Sequence, residues 1–357
     1  MRRETSARMT AFQALTGAET CIGLAPMAGA CPPSLSIAVA NAGGIGACGA
    51  LLLGPDTIAE WADEFRQGSN GPFIMNLWVP DPEPHRDAAH EAALREALGE
   101  WGPAVPNDAG DAAVLDFEVQ AEAIIAARPT AFSSIMGLPS NTLVSRLKDE
   151  GILWFATVTS TDEARKAEAA GADVIVAQGA EAGGHRGSFD ASKAQMQAVG
   201  ALALIPAIVD AVDCPVVAAG GIADARTAIA ALTLGASAVQ IGTGFLRTPE
   251  AGLNPAWADA LATTSATETA LTRGFSGRLG RAVRNRYVEA IESGALPEPA
   301  PYPVQRGLTA AMRSDAAQKQ DIIRMQAWAG QSARLAQARP AGDILREIAD
   351  AIDAFFA

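Results

Sequence analysis

Cysteine, histidine and positive charge are all scarce in this sequence, and each shortage removes a class of reading. The four cysteines (Cys21, Cys31, Cys48, Cys214) include no C-x-x-C pair and are too few to staple a chain of 357 residues. They are expected to be reduced thiols in the core or pocket of a cytosolic protein. Of the three histidines, His85 and His90 lie in a polar, proline-rich stretch, at a spacing that does not place them on one helical face. Both are expected to be solvated, and no metal site is assigned. With 27 basic against 40 acidic side chains the net charge is −13, which argues against nucleic acid or an anionic membrane as the main partner. Long apolar runs are missing too. Residues 228–246 carry no charge, but Thr233, Gly235, Ser237, Gln240, Gly242, Thr243 and Gly244 break them up, whereas a spanning helix needs about 20 predominantly apolar residues. Arg2-Arg3 is followed by Glu4, Arg8, Thr10 and Gln13 with no apolar core, so no export signal is expected and the protein is placed in the cytoplasm.

What the chain has is apolar material, 49% of residues against 19% charged, enough for a large core. Short β-rich runs alternate with alanine-rich amphipathic segments, the grammar of βα units around a parallel sheet. Candidate strands are 22–25, 45–48, 73–77, 131–134, 153–157, 174–177, 216–219 and 238–241. Eight in series fit an α/β fold of the (β/α)8 TIM-barrel type better than an open sheet. In the clearest unit, Ser160 or Thr161 caps a helix after 153–157, Asp162 and Glu163 favour its positive end, and Gly171 stops it. After Thr248-Pro249 the strand rhythm ceases. Residues 250–321 are read as a smaller helical lid over a barrel formed by 1–249 and 322–357, with closing helices near 321–339 and 342–356. Residues 81–110 are expected to form a loop plus a short helix outside the core.

A barrel of this kind keeps its active site at the C-terminal ends of its strands, with phosphate often held by the loops after the last two. Gly220-Gly221 and Gly242-Thr243-Gly244 fall at those places. Glycine lets backbone N–H groups approach phosphate oxygens, and a following helix start adds a favourable dipole. After the sixth candidate strand comes Gln178-Gly179-Ala180-Glu181-Ala182-Gly183-Gly184-His185-Arg186-Gly187, a histidine framed by glycines where substrate could approach a titratable imidazole. Ala25–Gly29 ends the first strand and could pack on a flat ring; Asn76 offers an amide at the third. Glu181 is a weaker candidate base, and the series Arg273, Arg278, Arg281, Arg284, Arg286 is read as a solvated helix face.

At these residues the sequence resembles the nitronate monooxygenases, formerly called 2-nitropropane dioxygenases. The matching blocks are APMAG (25–29), NAGGIGACGA (41–50), NLWVP (76–80), AQGAEAGGHRG (177–187), AAGGIADAR (218–226), QIGTGFLRTPE (240–250), FSGRLGRAVRN (275–285) and WAGQ (328–331), so the likeness spans nearly the whole chain. Trp78 stands where Phe is more usual. The resemblance implies a barrel that binds FMN without a metal, through Met27, Asn76, Gln178, Gly183, Gly220, Gly221, Gln240, Gly242 and Thr243. It implies His185 as the catalytic residue, oxidation of a nitronate by O2 to a carbonyl compound, and release of nitrite. Two alternatives stay open: an NAD(P)H-dependent reductase of quinones or enoyl thioesters on the same flavin barrel, and a flavin-free barrel that binds a phosphorylated metabolite.

Overall fold

The computed structural model describes residues 2–111 and 113–357. In chain order the strands are β1 (Ile22–Leu24), β2 (Gly46–Gly49), β3 (Phe73–Trp78), β4 (Ala131–Ile135), β5 (Leu153–Val158), β6 (Val174–Gln178), β7 (Gly184–His185), β8 (Val216–Ala219), β9 (Ala238–Ile241), β10 (Thr269–Thr272) and β11 (Gly280–Val283). Eight of them form one parallel sheet in the order β1-β9-β8-β6-β5-β4-β3-β2. The seam between β1 and β2 closes through a parallel bridge from Gly23 to Ile45, with Leu24 N donating to Ile45 O (2.8 Å) and Ile45 N to Ile22 O (3.1 Å). The sheet is therefore a (β/α)8 barrel. Its strands are short and buried almost throughout, as expected where helices cover the outside and side chains fill the inside.

The helix start read at Ser160 or Thr161 is found, with Ser160 as the cap. Ser160 accepts from Glu163 N at 3.2 Å and starts the helix Thr161–Ala169. Asp224 and Thr227 form a reciprocal capping box at the start of Ala225–Thr233. The closing helix Ala341–Phe356 packs its apolar face, including Ile344, Leu345, Ile348 and Ile352, onto the barrel core. At the chain start the helix Arg2–Thr16 sets Phe12 against Phe155, with ring centroids 6.3 Å apart. None of the described helices is long and apolar enough to cross a membrane, and 228–246 divides into helix, strand and turn. All four cysteines are free thiols.

Three expectations are corrected. Residues 250–321 contain helices, but also β10 and β11, which pair antiparallel; β11 then adds to β7 through Gly280↔His185 and Arg281↔Gly184. These strands are too short to show a period in sequence, and their third member lies about a hundred residues away. The stretch 321–339 is not a helix but irregular chain with one turn of 3₁₀ helix, Ala333–Leu335. Its backbone donors are taken by the barrel loops: Gly330 N donates to Thr243 Oγ1 (3.0 Å) and Gln331 N to Glu181 O (2.9 Å). The arginine series is not one solvated helix face. Arg284 and Arg286 are exposed, but Arg278 and Arg281 are buried with partners at Asp81, Ala180 and Thr269. The excursion over 81–110 carries the helix Ala88–Gly99, whose Leu94 and Leu98 pack with Phe275, Tyr287, Val304, Leu308 and Met312 in a core separate from the barrel's.

Candidate active site

One cavity of about 230 Å³ opens at the C-terminal ends of the barrel strands. Its wall gathers Met27 after β1, Asn76 on β3, Gln178 at the end of β6, Gly183 and His185 beyond it, Gly220 and Gly221 after β8, Gln240 on β9, and Gly242 and Thr243 after β9. His185 and the nine residues that the resemblance assigns to FMN thus line the same space, although they span more than two hundred positions; Glu181 does not line it.

The inner end of this cavity is rich in unspent donors. Gly220 and Gly221 have φ of +100° and +75°, a left-handed region costly for any residue with a side chain. A Cβ on Gly220 would also lie 2.9 Å from Ala182 N. The N–H groups of Gly220, Gly221, Gly242 and Thr243 donate to no described residue. They form a nest of amides at two adjacent strand ends, chemistry that suits a phosphate. Further out, Gln240 is only 6% exposed, yet its amide makes no hydrogen bond to a described residue. The amide faces the open cavity, where it is placed to meet a bound polar group.

At the mouth, β7 holds His185 on the small antiparallel sheet. Its Nε2 lies 2.7 Å from Ser276 Oγ. The ring sits edge-on between Trp78 and Trp328, with centroids at 4.5 and 4.6 Å. Burial, followed by the nearby charges of Arg278, Arg306 and Arg313, pushes its pKa down to about 3, so the imidazole is neutral at neutral pH. Arg306 lines the cavity and its guanidinium has no hydrogen-bond or ion-pair partner among the described residues. Arg313 is held by Thr309 Oγ1, Gln326 Oε1 and Arg306 O, none of them a carboxylate.

The family model for nitronate monooxygenase matches residues 10–350. The chain belongs to the nitronate monooxygenase family. It is therefore an enzyme, an oxidoreductase of the monooxygenase type that acts on a small molecule. Probable nitronate monooxygenases of Staphylococcus aureus are 37% identical over 337 residues, covering 92% of this chain and 93% of theirs. A nitroalkane oxidase from Streptomyces ansochromogenes superimposes with a TM-score of 0.87 at 34% identity, covering 96% of this chain and 98% of that one. FabK from Thermotoga maritima superimposes with a TM-score of 0.75 at 26% identity, over 97% and 96% of the two chains.

Within this family member, several polar side chains turn out to have structural employment. Glu181, the weaker candidate base, spends both carboxylate oxygens on Ala201 N (2.9 Å each), at the start of the helix Ala201–Val209. His85 is exposed, while His90 Nε2 meets Glu298 O at 2.8 Å. No group of metal-ligating side chains exists among the described residues. Gln178 donates through Nε2 to His185 O (3.0 Å) and accepts from Gly187 N at Oε1 (2.8 Å), so its amide braces the histidine loop and keeps one N–H for the cavity. Gln178→Leu would strip both partners at once, an expected loss of about 1–3 kcal/mol. A lower midpoint in urea with the histidine loop loosened is the expected result; unchanged stability would show that the brace carries no energy.

Trp78, Ser276, Arg306, Arg313 and Trp328 were not among the residues chosen from sequence, although Trp78, Ser276 and Trp328 sit inside quoted blocks. Arg306 and Arg313 carry no local signal. Their helices, Val304–Leu308 and Ala310–Gln318, reach the mouth only through packing against Phe275 and Tyr287.

Proposed function

We propose that this chain is an FMN-dependent nitronate monooxygenase that oxidises alkyl nitronates with O2 to carbonyl compounds and nitrite. The observation that carries the proposal is the pairing of a neutral imidazole, His185, with the unpartnered guanidinium of Arg306 in one cavity. Such a pair suits removal of a carbon-bound proton and retention of the resulting anion. The unspent amides at Gly220, Gly221, Gly242 and Thr243 fit the FMN phosphate. The amide of Gln240 and the Oδ1 of Asn76, whose Nδ2 donates to Ser133 O (3.2 Å) and Ser133 Oγ (3.0 Å), fit the edge of a flavin ring, with Met27 and the glycine at 183 against its face. We place the barrel in 1–249 and 322–357, with 250–321 as the covering region, and the enzyme in the cytoplasm.

FMN, when bound, supplies the electron acceptor and the route of electrons to oxygen. The chain supplies proton handling. Ser276 Oγ stands 2.7 Å from His185 Nε2 and 3.2 Å from Arg278 O. When its hydroxyl donates to Arg278 O, it accepts from Nε2–H, and the Nδ1 lone pair is free to take a substrate proton. When it donates to Nε2, Nδ1–H is a donor for a nitronate oxygen. Trp78 and Trp328 fix the ring plane and keep water from its edges. Arg306 balances the charge of the anion.

The deciding experiment is oxygen uptake and nitrite release with an alkyl nitronate, on protein whose yellow flavin spectrum has been recorded. One nitrite per oxygen-dependent turnover is expected. NAD(P)H oxidation without any nitro compound would favour the reductase reading, and colourless, fully folded protein would favour the flavin-free one.

A further inference from the structure

We propose that the ion pair between Asp81 and Arg278 is a positioning device for the proton chemistry of His185, joining the chain segments that touch the imidazole and balancing the charge beside it. The inference rests on the role given to His185 above. Asp81 lies three residues beyond Trp78, where the chain leaves β3, and Arg278 two residues beyond Ser276, just before β11. They meet across 197 positions in a two-pronged contact, Nε to Oδ2 at 2.7 Å and Nη2 to Oδ1 at 2.6 Å. The side chains are 3% and 23% exposed, Arg278 first. Arg278 Nη1 also donates to Ser188 O at 3.3 Å, which anchors the far end of the histidine loop. One guanidinium therefore ties together the β3 exit that carries Trp78, the turn that carries Ser276, and the loop that carries His185.

The cost of taking charges out of water offsets much of what such a pair returns in stability, so fold stability alone is a weak reason for it. The charges around His185 supply a better one. Arg278 faces it from the turn before β11, Arg306 from the helix Val304–Leu308 and Arg313 from the helix Ala310–Gln318. The segment 326–330 brings Trp328 and no charge. On the histidine's own loop, Arg186 is bound to Gln178 O and Gly179 O, and Glu181 faces Ala201 N. Asp81 is the one carboxylate, among the described residues, paired with any of the three facing arginines. Without it, a third uncompensated cation would oppose the positive charge that His185 gains when it accepts a proton.

Asp81→Asn keeps the shape and removes the charge. For a neutral nitroalkane, which must surrender a proton, kcat/KM is expected to fall about tenfold, the equivalent of one pKa unit or about 1.4 kcal/mol. For the same compound supplied as its nitronate, the loss is expected to stay under about threefold. Equal losses on the two forms, or none, would overturn the proposal. A second variant reads the charge without turnover. The chain has three histidines, so a ¹⁵N-histidine titration of the flavin-loaded protein is assignable by comparison with His185→Asn. In Arg278→Met the His185 midpoint is expected to move up by about one unit; an unmoved midpoint would overturn the proposal as well. Absence of any nitronate turnover in the wild type would instead sink the function itself, and the titration would still report on the pair.

Discussion

His185→Asn is expected to lower kcat/KM for a neutral nitroalkane by about 10²–10⁴-fold, the usual contribution of a positioned general base. Asparagine still offers an amide to Ser276 Oγ, so the mouth between Trp78 and Trp328 should keep its shape, and lost chemistry is separated from lost folding. The same compound supplied as its nitronate arrives without the proton that must be removed, and its turnover is expected to fall much less. Oxygen uptake with both forms at one pH makes the comparison. Equal losses would move His185 from proton abstraction to binding or orientation of the anion; no loss on either form would remove it from the mechanism. The direction of the pKa shift adds a check. Burial and three cations favour the neutral ring and hold its pKa at about 3. The acid limb of wild-type kcat/KM should therefore not fall at the ordinary imidazole value of about 6.5. A limb at that value, abolished by His185→Asn, would contradict the burial that the structure gives this ring.

Gly221→Val is expected to abolish FMN binding and leave a folded, colourless protein. At φ +75° a β-branched residue is strained, and its Cβ would stand 3.2 Å from Glu181 Cβ. The chain would have to turn, and the N–H groups of Gly220 and Gly221 would leave the nest. Charge-assisted hydrogen bonds to a phosphate are worth roughly 1.5–3 kcal/mol each. Losing two thus weakens binding by two orders of magnitude or more. Gly252→Val is the matched control. Gly252 also has positive φ (+56°) but faces open space away from the cavity. It should suffer the same backbone strain and retain flavin. Flavin content after gel filtration, with thermal melts of both variants, decides the matter. Full flavin at wild-type affinity in Gly221→Val would show that the phosphate lies elsewhere.

The reach of the sequence is clearest where a single element carries its own signal. Ser160 declares a helix start because an N-cap is a local bargain between one side chain and the next turn. The eight barrel strands are legible as short β-rich runs between such helices, and a parallel sheet puts their C-terminal ends on one side. Glycines at those ends, and a histidine framed by glycines, are therefore visible as cavity residues before any coordinates are known. The barrel, and the placement of Asn76, His185 and the glycine pairs at its strand ends, follow from signals of this kind; Met27, Gln178 and Gln240 were legible only through the resemblance to the nitronate monooxygenases.

Tertiary structure decided everything that depends on two distant segments meeting. β10 and β11 are four residues each; they pair with one another, and β11 alone pairs with His185 across the chain; no periodicity can build up in so short a run. Residues 321–339 look helical by composition, but their donors find Thr243 and Glu181 in place of a carbonyl four residues back. Arg278 and Arg281 read as surface charges because burial is a property of the neighbours and not of arginine. Gln178 and Glu181 show the same rule in the site, where nothing local says whether an amide or a carboxylate will face a ligand or brace a loop. The composition and spacing of this chain determined the barrel and the address of its candidate active site. Only the folded chain determined how the imidazole is held and which cations surround it.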